Sequence, residues 1–198
     1  MKEKLHNSLA DILKDDPREA SKRSWAWYSR NVRTLAAKTN ALKFLGSTVG
    51  NQTKRDIVPG SMVFYFYDPI SKAEMEYYDT APLILVLSIR DDKKGFYGIN
   101  THYLKPNLRI LLLDKLIKIT ESKRYNTNDK LLFTWQTVKA FADLPQVKNA
   151  VKQYLFRQVK SSFGIIPIED MKYSVLLPTE RFKGASNDKV WSDSNART

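Results

Sequence analysis

The chain has 198 residues, no cysteine, and 33 lysines and arginines against 21 acidic residues, a formal net charge of +12. No disulfide, thiolate nucleophile or cysteine-based metal site is open to it, and the charge balance calls for an anionic partner, nucleic acid before an anionic membrane surface. With 42% hydrophobic and 12% aromatic residues the chain can bury a core, so disorder is not expected.

The first stretch, "MKEKLHNSLADILKDD", is broken by charges and has no apolar run of the kind that opens a secreted chain. No apolar segment approaches the roughly 20 residues of a membrane span, so a soluble, cytoplasmic protein or a component of a particle assembled there is expected, with no membrane partner. Leu5, Leu9, Ile12 and Leu13 predict a short amphipathic helix over 4–14. Asp16-Pro17 then suits the start of a second helix that meets no further Pro or Gly before Gly46. Trp25, Tyr28, Val32, Leu35, Thr39 and Leu42 line one face of it, and Lys22, Arg23, Arg30 and Arg33 fall on another. Residues 1–50 therefore read as an N-terminal helical arm, and "GSTVGNQTKRDIVPG" as a linker.

Residues 56–182 read as one α+β core domain. Met62, Phe64 and Phe66 alternate with Val63, Tyr65 and Tyr67, so both faces of this strand are apolar and both should be covered. Leu83–Ile89 is a second strand, "RDDKKG" a charged turn, and Phe96–Leu104 a third strand. This order predicts a small, curved antiparallel sheet or SH3-like barrel over 60–104. Helices follow over 106–160: Pro106–Ile119, apolar nearly all round; one capped by Asn128 and carrying Leu131, Leu132, Trp135, Val138 and Phe141; and Gln146–Lys160. The last places Lys148, Lys152 and Lys160 opposite Val147, Val151, Tyr154 and Leu155, with Arg157 at the margin and "KSSFG" adding hydroxyls suited to phosphate oxygens. A short strand is expected over 173–178, and a loose polar tail over 183–198.

No catalytic constellation stands out. The two histidines, His6 and His102, have no carboxylates at metal-ligand spacing, no Gly-x-Ser-x-Gly elbow or glycine-rich phosphate loop occurs, and no metal or cofactor is expected. A small-barrel ribonuclease would have to use Asp68, Asp79, His102 or Arg109 as acid, base and phosphate clamp, residue types that turns and strand ends also attract. "KKGFYGIN" is similar to the core of an RNA-recognition motif, but Tyr97 stands where a small residue belongs and Gly98 where the stacking ring belongs. The two basic faces, Lys22, Arg23, Arg30 and Arg33 on the arm and Lys148, Lys152, Arg157 and Lys160 near the end, are the better binding candidates. Their ordinary alternative is a solvated helix surface. If they grip 6–8 phosphates, affinity should fall with salt at a log–log slope of about −5 to −7, with little sequence preference.

The segments "GSMVFYFYDP", "YYDTAPLILVL" and "GFYGINTHYLKPNLRILLLDKL", with "LLPTERF" and "VWSDS" further on, resemble the DNA end protector of T-even-type tailed phages. The motif falls on Gly60, Met62, Tyr67, Asp68, Pro69, Tyr77, Tyr78, Asp79, Gly98, Asn100, His102, Tyr103 and Leu104. The resemblance implies a non-enzymatic virion protein that binds the ends of packaged double-stranded DNA, completes the head and shields injected DNA from host exonuclease. Its other partners would be virion proteins of the head, neck or tail. A structural neck, tail or baseplate subunit of the same phages is the alternative.

Overall fold

The computed structural model of the chain describes residues 16–31 and 53–196. The helix expected over 4–14, the stripe positions Val32, Leu35, Thr39 and Leu42, and Arg33 lie outside them. The described elements run α1 (Pro17–Asn31), β1 (Met62–Phe64), β2 (Tyr78–Asp79), β3 (Leu83–Ile89), β4 (Gly95–Asn100), α2 (Pro106–Thr120), α3 (Thr127–Ala142), β5 (Val151–Leu155), β6 (Gly164–Ile166), α4 (Met171–Ser174), β7 (Phe182–Lys183) and α5 (Asn187–Ala196). The mix of helix with antiparallel sheet makes this an α+β protein.

Five strands form one antiparallel sheet in the order β5-β4-β3-β1-β6. Among the described residues the sheet is open: β5 and β6 are its two edges, and the expected barrel is not closed, although Tyr67 beyond β1 forms an isolated antiparallel bridge with Val159 beyond β5. A bulge between Val86 and Ser88 shifts the register of β3 against β4, a feature that bends a strand locally. β2 pairs with β7 in a separate ribbon.

The alternation in β1 puts side chains into two cores. Met62 and Phe64 face a large aliphatic core shared with Leu112, Leu113 and Leu116 of α2 and Val138 of α3. Val63 and Tyr65 face a smaller aromatic core with Phe96, Tyr154 and Phe163. Both faces are covered, as the sequence pattern requires. Most rings of the "FYFY" run are therefore core. Phe64 and Tyr65 are buried, Tyr67 is half-buried and accepts a hydrogen bond from the Leu155 amide at 3.3 Å, and Phe66 is exposed. Gly98 is needed where it stands, since a Cβ there would lie 2.3 Å from the Ile84 side chain and 2.6 Å from the Leu85 carbonyl.

Five local expectations are corrected. Gln146–Lys160 is not a helix: Pro145–Ala150 is a 3-10 turn, Val151–Leu155 is strand β5, and Phe156–Gln158 is a second 3-10 turn. Pairing with β4, Gly95 opposite Leu155 through Ile99 opposite Val151, overrides the helical spacing. Residues 173–178 hold the end of α4 and no strand; the strand in this region is β7. The tail is not loose, because α5 runs through it and buries Val190 and Ser194. The third strand stops at Asn100, whose side chain accepts the His102 amide and starts a 3-10 turn. The cap of α3 is Asn126 and not Asn128, in a reciprocal capping box with Asp129. Replacing Asn126 with alanine is expected to cost about 1 kcal/mol in urea denaturation, the usual loss of an N-cap.

The arm helix also turns a different face inward. Trp25 is 57% exposed, while Ala20 and Ser24 are buried. Asp114 of α2 decides this: it is buried, and Ser24 Oγ (3.4 Å), Arg23 (3.3 Å) and Lys118 (3.5 Å) gather round it. A buried carboxylate must collect donors and cations, so it sets which side of α1 docks.

Candidate nucleic-acid interface

A basic concavity lies between the β3–β4 hairpin and the chain that follows β5. It is a cleft of about 780 Å³. Its cations are Lys54, Arg90, Lys93, Lys94 and Arg157, and hydroxyls come from Thr53, Ser161 and Ser162. The hairpin tip explains part of the geometry. Lys93 takes a left-handed backbone (φ 54°) to turn the chain, and the Lys93 amide donates to the Arg90 carbonyl at 2.9 Å. The one carboxylate in the cleft, Asp92, accepts two bonds from Arg90 (2.9 and 2.8 Å) and one from the Lys94 amide (3.0 Å). Those contacts hold its carboxyl well below the usual carboxylate range. Arg90 and Asp92 thus cancel, and among the described residues no carboxylate lies within ion-pair distance of Lys54, Lys93, Lys94 or Arg157. A surface with unneutralised cations and hydroxyls binds phosphate oxygens and carries no base-edge code of its own.

The residues proposed from sequence are dispersed. Lys22 pairs with Glu19 at 2.8 Å, Arg23 reaches Asp114, and Arg30 donates from Nε to the Ala26 carbonyl at 3.2 Å. Lys148 is exposed on its 3-10 turn and Lys160 is exposed beyond β5. Lys152 lies in β5 with its ammonium 4.5 Å from the centroid of the Tyr103 ring. Of the seven that lie among the described residues, only Arg157 lines the basic cleft. Lys54, Arg90, Lys93 and Lys94 were not singled out; the charged turn "RDDKKG" and the "TKR" of the linker were their only sequence signals.

The motif residues divide differently. Asp68 is at the surface, gripped by Lys72 at 2.9 Å. Asp79, Asn100 and His102 converge in a buried network. His102 Nδ1 lies 2.7 Å from Asp79 Oδ2 and Nε2 lies 2.8 Å from Thr179 Oγ1. Asn100 Nδ2 donates to the same Asp79 oxygen at 2.9 Å, and the Ala81 amide donates to Oδ1 at 3.0 Å. Below them Arg109 donates to the carbonyls of Leu104 (3.0 Å) and His102 (3.1 Å) and pairs with Glu180. The indole of Trp191 on α5 also donates to the His102 carbonyl, at 2.8 Å. His102 is fully buried with both ring nitrogens engaged, so no substrate can reach either nitrogen. The network ties five separate chain segments together. Tyr77, Tyr78 and Tyr103 lie at its outer side, where they line a second cleft with Lys152.

No group of three or more metal-ligating side chains occurs among the described residues, and no helix among them is long and apolar enough to cross a membrane. The family model of the Phage T4 terminal DNA protecting protein matches residues 1–194. The chain belongs to that family. No curated protein and no solved structure matches it.

Proposed function

We propose that this protein sits in the phage particle, binds the ends of the linear double-stranded genome, and blocks host exonuclease by occupying the terminus. The family supports DNA protection, and the basic cleft supports the way it is done: phosphates of the terminal turn lie against Lys54, Lys93, Lys94 and Arg157. The protein acts by occupancy and not by catalysis. The enclosed His102–Asp79 pair supports this, since a general acid or base must come within hydrogen-bond reach of its substrate. Head completion and contacts with neighbouring virion proteins belong to the same reading. The arm offers a surface for such contacts in Trp25, which stands exposed and stacked on Tyr28 at 5.5 Å.

The test is protection of linear duplex DNA from a processive exonuclease, titrated with salt, with covalently closed circular DNA as competitor. Protection is expected to survive a large excess of circles at moderate salt. Protection that circles abolish would reduce the protein to a general phosphate binder, and absence of binding at low salt would overturn the reading.

A further inference from the structure

The second cleft, of about 510 Å³, lies beside the basic one, and Gln153 and Leu155 of edge strand β5 line both. Its character is opposite. Tyr67, Tyr77, Tyr78 and Tyr103 supply aromatic surface. At its mouth Ile70 and Met75 stand 55% and 44% exposed, apolar side chains left in water by the described residues. The volume falls within the range of sites for a single small ligand, roughly 300–1,000 Å³, and is far too small for a duplex.

Charge decides which part of a nucleotide suits which cleft. Glu74, Glu76 and Asp79 line the aromatic cleft against a single cation, Lys152, so its interior disfavours a phosphate. Glu76 is paired with Lys189 at 3.1 Å, so Glu74 remains as a hydrogen-bond acceptor for the exocyclic amino group of a base. Lys152, over the Tyr103 ring, lines the aromatic cleft next to Gln153, which lines both clefts, and is placed to meet the phosphate of a nucleotide whose base has turned inward. Aromatic faces stack any base without regard to sequence, which suits a protein that recognises ends.

We infer that the aromatic cleft holds the base of an unpaired terminal nucleotide while the adjoining phosphates run into the basic cleft. This rests on the end-binding reading and gives it a physical criterion: only a DNA end can offer a free base beside a phosphate track without unpairing a duplex interior.

The experiment uses the full chain and duplexes closed by a hairpin at one side, so each has one open end. Affinity is measured for an end carrying a one-nucleotide overhang, for the same overhang with an abasic nucleotide that keeps its phosphate, and for a blunt end with an abasic site in the interior. The overhang with its base is expected to bind about tenfold or more tightly than its abasic twin, the range of a single stacked base. The interior abasic site should match an intact blunt duplex. A doubly substituted protein, Ile70→Glu with Met75→Glu, changes only exposed side chains and should bind both overhangs alike, near the abasic value. Equal affinity of the unaltered protein for the two overhangs would overturn the base-holding role and leave end binding standing. Failure to prefer any open end over a closed circle would overturn both.

Discussion

Reversing Lys93, Lys94 and Arg157 together to glutamate is expected to weaken binding to linear duplex DNA on the order of a hundredfold at low salt. The log–log salt dependence should lose about one unit for each cation that met a phosphate. All three side chains are exposed and, among the described residues, carry no ion pair, so thermal unfolding should scarcely move. The effect is large because the cleft has one internal carboxylate, and Arg90 already neutralises it. The arm gives the contrast. Reversing Lys22 and Arg30 should alter affinity less, while reversing Arg23 places a carboxylate against buried Asp114 and loosens α1 from α2. Electrophoretic or anisotropy titrations of the two variants over a salt series separate the surfaces. A cleft variant with unchanged affinity and slope would remove the cleft from the interface and point back to the arm.

What could be read from the sequence depended on whether local pattern and long-range pairing agreed. They agreed in β3, seven residues of apolar run bounded by turns, and in α2, opened by Pro106. They agreed in β1, where apolar residues on both faces required two cores. They disagreed in 146–160. Val147, Val151, Tyr154 and Leu155 fit a helical spacing, yet Val151, Gln153 and Leu155 alternate with Lys152 and Tyr154 just as well. The exposed edge of β4 settled it, and no local feature of the segment announces that edge. α5 was missed because it buries little besides Val190 and Ser194, while its polar face resembles a tail. The basic cleft was illegible for a topological reason. Lys54, Lys93 and Arg157 lie in a linker, a hairpin and a post-strand turn, and only the β3–β4–β5 arrangement assembles them. The motif residues were visible as a pattern, but their role was not: Asp79, Asn100 and His102 form a buried network that holds the fold, with Asp79 at the inner wall of the aromatic cleft.

Replacing Asp79 with alanine is expected to cost about 3 kcal/mol or more of folding stability. The residue is 4% exposed, and its carboxylate accepts from His102, from the Asn100 side-chain amide and from the Ala81 backbone, so its loss strands three buried polar groups at once. Arg109→Leu should cost as much. It leaves the Glu180 carboxylate buried without its cation and takes donors from the carbonyls of His102 and Leu104. The Asp79 carboxyl also sets a pH dependence. Burial alone would raise its pKa, but the adjacent His102 and the hydrogen bonds it accepts from His102, Asn100 and Ala81 together hold it below the ordinary value. A carboxyl with a lowered folded-state pKa contributes stability that is fully present above its unfolded value, about 3.9, and is lost as pH falls through the folded one. Urea denaturation of the unaltered protein should therefore show stability declining on the acid side of about pH 4. In Asp79→Asn that decline should be shallower, on a lower plateau at neutral pH. Two of the bonds survive there in altered form, so Asp79→Asn should be less damaging than Asp79→Ala. A loss below about 1 kcal/mol in both alanine and leucine variants would mean that α5 and the β2–β7 ribbon are held without this network. The β2–β7 ribbon carries Asp79 itself, and α5 reaches the network through Trp191, so both should loosen first when it is cut.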